Sequence, residues 1–312
     1  MAVRKVIDFE CVLPDDEQGR SRQSFEGMSH RIGYGDPELL DMPPGYGFAN
    51  YANIFRKSEG PASGAEKGGA GTKKKPGMSL DDFVAELDRE GVEMSVLGRI
   101  DNYQLADILK AYPTRFFGLA SVSPHDGMRG VREFEKLVRE HGLGGLRVAA
   151  LYNNVLANDR RYYPLYAKCV ELDVPVRIYT AMNYANDRPY DIGHPRHLDQ
   201  IAIDFPELRI VAGLAGWPWV NDMVGLLRRH PNLYCDTAAH HPRYFGVPGS
   251  GWDTFLQFGN TLLQDKIMVA FSKDSFGLTV PQLAQMYEKL PLKESVVEKW
   301  LYGNAKRFLR LG

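Results

Sequence analysis

The sequence is poor in cysteine, in long apolar runs and in net charge. Its 312 residues include three cysteines, Cys11, Cys169 and Cys235, and no CxxC pair, which argues against a disulfide framework or a zinc knot. No run of about 18 apolar residues occurs, so we expect no transmembrane helix. A formal net charge of -1 excludes the basic surface that nucleic acids or anionic membranes attract. The first residues enter an apolar strand without a signal-peptide pattern, so we expect a reduced, cytoplasmic protein.

What the sequence has instead is a regular alternation of short apolar runs and amphipathic stretches. The runs are nearly continuous, as expected for parallel strands that are covered on both faces. The stretch 79–92 begins with Ser79 as a candidate N-cap and ends near Gly91, which is typical of a helix. Eight alternations predict an α/β fold, a closed (β/α)8 TIM barrel, with a doubly wound open sheet as the alternative. The predicted strands cover residues 5–9, 94–98, 116–122, 144–149, 174–180, 208–214, 232–237 and 266–272.

One long segment interrupts this alternation, residues 15–78 between the first strand and the first helix. Its last part, 58–78, is rich in Gly, Ala, Ser and Lys and has almost no apolar content, so we expect it to be flexible. An insertion after strand 1 leaves a barrel on its catalytic face, so this segment is either a surface insertion or a lid. We expect the whole chain, 1–312, to form a single barrel domain.

Five stretches of the chain share more than their periodicity with a known family. The most specific of them, 197–220, contains an aspartate, a Phe-Pro pair and the sequence GWPW. Through these stretches the chain resembles the amidohydrolase-related superfamily, in the branch that holds metal-dependent decarboxylases of aromatic and muconate-type acids with related hydrolases and lactonases. The resemblance implies a (β/α)8 barrel, and it implies a homodimer because dimers are common in that branch. The other four stretches are 115–124, 162–180, 230–240 and 301–311.

The chain departs from the resembled family at the metal ligands. The family has His-x-His at the end of strand 1, where this chain has Glu10 and Val12. The family's histidines on strands 5 and 6 fall on Tyr179 and Leu214, and its strand 8 aspartate falls on Ser272. A zinc-like ion needs three or four converging N, O or S donors, and valine and leucine supply none. We therefore predict no catalytic metal and no cofactor.

The catalytic candidates lie at the ends of barrel strands, where barrel enzymes place their chemistry. Glu10 is a candidate acid or base, or else a structural ion-pair partner of Arg147 or Arg177. Tyr179 is a candidate hydrogen-bond or proton donor, or else a filler of the lumen. His240 falls on a family position near the substrate, so it is the third catalytic candidate.

The substrate-binding candidates are basic, polar or aromatic residues at the same end of the barrel. Arginine holds a carboxylate in a bidentate fork, and the resembled family often has a basic residue at the position of Arg147. Lys273 is either an electrostatic anchor or a solvated loop residue. Trp217 either forms the floor of the pocket or packs under the strand 6 loop. The full set is Arg147, Arg177, Trp217, Ser272, Lys273 and Asp274.

Together these residues predict a metal-independent enzyme that acts on a small carboxylate-bearing cyclic or aromatic substrate. The reaction is a lyase step, decarboxylation or elimination, or the hydrolysis of a lactone or ester; the resemblance motivates both and the residues do not choose. One alternative is a catalytically inactive relative that binds a ligand or a protein partner. Another is an enzyme with a metal at a relocated site, bound through Glu10, His240 and Asp274.

Overall fold

Eight parallel strands form one sheet in the order β1 to β8 in the computed structural model, which describes residues 4–22, 77–183 and 188–311. This strand order confirms the (β/α)8 barrel and excludes the doubly wound open sheet. All eight predicted strands are present, although the last is much shorter than the sequence indicated. The strands are β1 (Val6–Cys11), β2 (Val92–Leu97), β3 (Phe116–Ser121), β4 (Gly145–Val148), β5 (Val176–Tyr179), β6 (Ile210–Gly213), β7 (Leu233–Asp236) and β8 (Ile267–Met268).

Helices connect successive strands and cover the outside of the barrel. The first begins where the sequence predicted it, because the side chain of Ser79 accepts a hydrogen bond from the backbone of Asp82. None of the described helices is long and apolar enough to cross a membrane. The helices are α1 (Leu80–Arg89), α2 (Asn102–Ala111), α3 (Gly127–His141), α4 (Ala150–Asn153), α5 (Tyr163–Glu171), α6 (Arg196–Asp204), α7 (Val220–Arg229), α8 (Asp253–Gly259), α9 (Lys273–Phe276), α10 (Val280–Glu288), α11 (Glu294–Glu298) and α12 (Asn304–Leu309).

The barrel closes between its first and last strands through a backbone bond and a side-chain bond. The amide of Phe9 donates to the carbonyl of Val269 at 3.0 Å. The carboxyl oxygen Oδ1 of Asp8 accepts from the amide of Phe271 at 2.9 Å. β8 ends at Met268, so the amide of Phe271 lies beyond the strand. The side chain of Asp8 supplies the acceptor for this amide that strand pairing would otherwise supply.

Two apolar layers lie on the two sides of the sheet. The inner layer fills the lumen and includes Ile7, Leu119 and Met268. At the N-terminal end of the strands, Phe308 of α12 meets the ring of Phe9 with centroids 5.8 Å apart, so the lumen is filled there. The polar side chains of the mouth cavity therefore lie at the opposite end of the barrel, at the C-terminal ends of the strands.

The outer layer packs between the sheet and the helices, and it contains all three cysteines. Cys11, Cys169 and Cys235 are buried and unpaired, and burial raises the pKa of each thiol. Cys11 therefore packs in this layer like a small apolar side chain. The predicted insertion 15–78 lies mostly outside the described residues, and so does its expected flexible part, 58–78, apart from the final residues 77 and 78.

Candidate active site at the barrel mouth

A cavity of about 180 Å³ opens at the C-terminal ends of the strands. Its lining comes from β1, from β4 and the helix α4 after it, from the loops after β2, β6 and β7, from the end of β5 and from the segment after β8. We call this space the mouth cavity. The ionisable and polar groups on its wall include Asp8, Glu10, Arg99, Arg147, Tyr179 and Ser272.

An ion cluster lies at the edge of this cavity and consists of two buried side chains, Arg177 and Asp236, and the partly buried Glu10. Arg177 donates from Nε to Oδ2 of Asp236 at 2.7 Å and from Nη2 to Oδ1 at 3.1 Å. The same Nη2 donates to Oε2 of Glu10, and the guanidinium of Arg147 lies 3.9 Å from the other oxygen of Glu10. Burial alone would raise the pKa of Glu10, but the charges of Arg177, Arg147 and Arg99 outweigh it and hold that pKa below its usual range. Glu10 is therefore ionised at neutral pH.

Two glycines make room for these arginines. A Cβ on Gly213 would lie 2.8 Å from Nη2 of Arg177, and a Cβ on Gly98 would lie 2.7 Å from Cδ of Arg147. Gly213 has an ordinary extended backbone, with φ at -68°, so only space and not conformation requires glycine there. The close approach of β6 thus helps to fix where the guanidinium of Arg177 lies.

The residues at the mouth do not fit the divalent metal ion that the family resemblance implies. Two of the carboxylates there, Glu10 and Asp236, are both bonded to Arg177. Val12 and Leu214 line the cavity without a donor atom in their side chains. In the described part of the chain, no three His, Cys, Asp or Glu side chains are grouped so as to hold a metal. Glu10, His240 and Asp274, the relocated site considered above, therefore do not form such a group.

Asp8 is the residue that sequence reasoning missed. It lies two residues before Glu10 on β1, and it lines the mouth cavity while its Oδ1 accepts the amides of Phe271 and Glu10. Burial raises the pKa of Asp8 to about 7, against the opposing effect of these two amides. The sequence signal was the position of Asp8 itself, a carboxylate between the apolar residues Ile7 and Phe9 of β1.

The three catalytic candidates are placed differently. Glu10 is in the ion cluster, and Tyr179 lines the cavity while its hydroxyl donates to the carbonyl of Met182 at 2.9 Å. His240 is buried, with Nε2 2.9 Å from the carbonyl of Leu214, and burial lowers its pKa to about 4. Its ring packs 4.9 Å from Trp252, and it is outside the lining of the mouth cavity among the described residues.

The substrate-binding candidates divide in the same way. Arg147, Ser272, Lys273 and Asp274 line the mouth cavity, whereas Arg177 and Trp217 lie outside its lining in the described structure. Lys273 also bonds to two carboxylates of α1 and the turn after it, Glu86 and Glu90, and the Nζ–Oε2 distance to Glu90 is 3.1 Å. The hydroxyl of Ser272 accepts the amide of Ala239 at 2.8 Å. Trp217 lies beside His240, with ring centroids 6.1 Å apart.

Left-handed backbone is concentrated at this mouth. In the described part of the chain, eight non-glycine residues have positive φ, and half of them line the mouth cavity. Each such residue costs on the order of 1–3 kcal/mol and persists only where its surroundings impose it. The four are Arg99 (60°), Leu214 (65°), Ala239 (61°) and Ser272 (49°).

Comparison with known proteins identifies relatives of this fold. A family model described as amidohydrolase matches residues 77–311. An uncharacterised TIM-barrel protein from Bordetella bronchiseptica has 25% identity and a TM-score of 0.69, with 98% of this chain and 99% of that one covered. The 5-carboxyvanillate decarboxylase of Novosphingobium aromaticivorans, solved with manganese and 4-hydroxy-3-methoxy-5-nitrobenzoic acid, has 15% identity and a TM-score of 0.62, with 98% and 96% covered.

One curated relative matches over a shorter stretch. It is the 2-amino-3-carboxymuconate-6-semialdehyde decarboxylase of Dictyostelium discoideum, which is 23% identical over 137 residues. The match covers 36% of this chain and 38% of that protein. At this identity the likeness to the solved decarboxylase shows the fold alone.

The first prediction concerns the space that Gly213 leaves for Arg177. Gly213→Ala should lower the free energy of unfolding by about 1–3 kcal/mol, because the new methyl group displaces a guanidinium that two carboxylates hold. Gly225→Ala is the matched control, since Gly225 lies on α7 with open space around its Cβ position. Urea unfolding measures both variants. Equal stability of the two would show that the guanidinium is free to move.

The second prediction follows from Asp8, whose pKa is raised from 3.8 to about 7. Between these pH values the unfolded chain is ionised at Asp8 and the folded chain is not, so this group's contribution to stability falls as pH rises to about 7. Asp8→Asn keeps an oxygen for the two amides and cannot ionise. Relative to the native protein, the variant should therefore gain about 2 kcal/mol between pH 5 and pH 8.

Urea unfolding at both pH values tests this expectation for Asp8. Glu10 and Lys273 are the charged groups that act on Asp8, and both are unchanged in the variant. Asp107→Asn, on the exposed face of α2, is the control for loss of a carboxylate. A stability difference that does not change with pH would contradict the assignment.

Proposed function

This chain belongs to the amidohydrolase family, and from that premise we propose that it is a decarboxylase-like enzyme acting on a small aromatic or cyclic carboxylate without a divalent metal ion. A solved neighbour is named as a decarboxylase of carboxyvanillate, an aromatic acid of this class, and a curated relative as a decarboxylase of a carboxymuconate semialdehyde, an open-chain unsaturated acid. The observation that supports the proposal most directly is the pair of arginines, Arg99 and Arg147, on the wall of the mouth cavity.

The carboxylates nearest these arginines are already held by a third. The carboxylates of Glu10 and Asp236 both bond to Arg177, which lies just outside the cavity lining. Arg99 and Arg147 act on Glu10 as further positive charges. Arg147 lies 3.9 Å from Glu10, beyond hydrogen-bond distance, so its guanidinium can bind an anionic ligand in the cavity. A carboxylate is the anion whose geometry a guanidinium fork matches.

The proposed absence of a metal follows from the donors and their partners. A divalent ion would have to displace the guanidinium of Arg177 from two carboxylates that it neutralises within the barrel. The cavity positions of Val12 and Leu214 would add no ligand. In this proposal the positive charge that assists the reaction comes from the arginines of the chain.

The state of Glu10 favours the lyase over the hydrolase. Hydrolysis of a lactone or ester needs a general base to activate water, and a carboxylate whose pKa is held low by three arginines is a weak base. Decarboxylation needs positive charge near the ring and a proton donor. The bond from the ring carbon to the carboxylate breaks, CO2 leaves, and the electron pair stays on that carbon. The arginines stabilise this negative charge.

Asp8 is the proposed donor of the proton that ends this reaction. It lines the cavity, and its pKa near 7 leaves a proton on a large share of the molecules at neutral pH. That proton passes to the ring carbon, and a proton from water restores the acid. Asp8 and Glu10 are two carboxyl groups on one strand with pKa values moved in opposite directions, which is a common arrangement for an acid and an electrostatic partner.

A second candidate function, ligand binding without catalysis, is favoured by one observation. All three side chains chosen from sequence to move protons are engaged by the protein itself: Glu10 by Arg177, Tyr179 by Met182 and His240 by Leu214. Turnover by the native protein and its loss in Asp8→Asn, with ligand binding retained, support the enzyme. Binding without turnover of any aromatic or muconate-type acid supports the binder.

The third prediction tests the carboxylate anchor. Arg147→Met should raise the dissociation constant of benzoate by about 10–100-fold, because hydrogen bonds to a charged group contribute about 1.5–3 kcal/mol. Arg147→Lys should restore only part of the affinity, since lysine lacks the planar fork. Arg139→Met, an exposed arginine paired with Glu135 on α3, is the matched control. Calorimetric titration gives the constants, and unchanged binding in Arg147→Met would refute the anchor.

The fourth prediction tests the proposed absence of a metal. Protein treated with a chelator and dialysed should decarboxylate its aromatic or muconate-type acid at the rate of untreated protein, since no step uses a metal. The rate is measured as CO2 release, and the metal content by mass spectrometry of the same sample. Stoichiometric manganese or zinc that survives dialysis, with activity lost on chelation, would overturn metal independence.

A further inference from the structure

A second and larger cleft adjoins the mouth cavity. It has a volume of about 520 Å³ and lies between the segments that follow β2, β3 and β4, on the same face of the barrel. We call it the outer cleft. It shares three wall residues with the mouth cavity, namely Arg99, Arg147 and Tyr152. The guanidinium of Arg147 lies 5.8 Å from the ring of Tyr152, so this cation–π pair stands at the junction of the two spaces.

The two volumes suit ligands of different size. A cavity of about 150 Å³ holds a benzene molecule, so the mouth cavity of about 180 Å³ holds one small ring. The outer cleft is within the range of about 300–1,000 Å³ that is usual for pockets of drug-sized ligands. A single-ring acid would therefore fill the mouth cavity and leave the outer cleft to water.

The charged groups of the outer cleft are paired within the protein. Arg129 bonds to Asp126, and Glu133 accepts the hydroxyl of Tyr103 at 2.8 Å. Asp101 accepts two backbone amides at the start of α2, each at 3.0 Å. Away from the junction, these side chains do not present a single sign of charge to a ligand.

Some of the neutral polar groups on the wall of the outer cleft also have hydrogen-bond partners within the protein. The side chain of Asn102 donates to the carbonyl of Ser121 at 2.8 Å and accepts its amide at 2.9 Å. The NH2 group and the carbonyl oxygen of this side chain are thus both used, and they join the start of α2 to the end of β3. The outer cleft therefore suits an uncharged extension better than a second anion, and the arginines that face both spaces lie at the junction.

We propose that the mouth takes a two-part acid: a ring in the mouth cavity, its carboxylate against Arg147 at the junction, and an uncharged extension in the outer cleft. This inference rests on the proposed function and names its substrate class as an aryl or cyclic acid with an ether, ester or amide substituent. In this proposal, the segments after β2, β3 and β4, which line the outer cleft, determine which substituted acid is bound.

The test is calorimetric titration of the full chain with three acids of increasing length. Benzoate is the single-ring probe, and 3-benzamidobenzoate and 4-benzamidobenzoate add an uncharged arm in two directions. Ser121→Trp should fill the outer cleft from an exposed position on β3, and Ser121→Ala is its matched control. Neither change removes the backbone groups that bond to Asn102.

We expect at least one extended acid to bind the native protein about tenfold or more tightly than benzoate. Ser121→Trp should abolish that gain and leave benzoate binding unchanged, while Ser121→Ala keeps the gain. If neither extended acid binds more tightly than benzoate, or if the gain survives Ser121→Trp, the inference is overturned while the arginine anchor stands. If benzoate fails to bind, or binds equally to Arg147→Met, the proposed function is overturned and this inference with it.

Discussion

The structure of the mouth depends on one buried arginine that two carboxylates hold. Arg177 joins β5 to β1 through Glu10 and to β7 through Asp236. Asp236 in turn accepts the amide of Leu214, so the loop after β6 is tied to the same cluster. Removing one member of a buried ion cluster leaves an uncompensated charge and costs about 3–5 kcal/mol. The members of this cluster are therefore constrained together.

This cluster also limits the chemistry that the mouth can perform. A metal ion accepts electron pairs directly from a substrate oxygen, whereas a guanidinium acts only through its charge and its N–H groups. Arg177 already uses those groups on Glu10 and Asp236. In the proposed function, the mouth contributes electrostatic stabilisation by Arg99 and Arg147 and proton transfer by a carboxyl group, which suits a lyase step better than hydrolysis.

The sequence predicted the barrel well because its evidence is local. Each strand is a short apolar run, and Ser79 caps a helix only three residues from its partner. The ion cluster depends instead on distant contacts, since 59 residues separate Arg177 from Asp236 and 167 separate it from Glu10. Burial of Asp8 depends on its contact with Phe271 across the closed barrel. No local pattern encodes these distances. The sequence could offer Arg147 or Arg177 as an ion-pair partner of Glu10 without choosing between them, and it could not pair Arg177 with Asp236.

The left-handed backbone of the mouth is fixed by specific hydrogen bonds. Leu214 and Ser272 stand where the resembled family has metal ligands, and both have left-handed φ values, as do Arg99 and Ala239 around the same cavity. Leucine gains nothing from such a conformation, so the surrounding contacts impose it. The amide of Leu214 bonds to Asp236, and the hydroxyl of Ser272 accepts the amide of Ala239. Strained loops that are held by specific bonds give the mouth the rigidity that the proposed recognition of an anion by arginine requires.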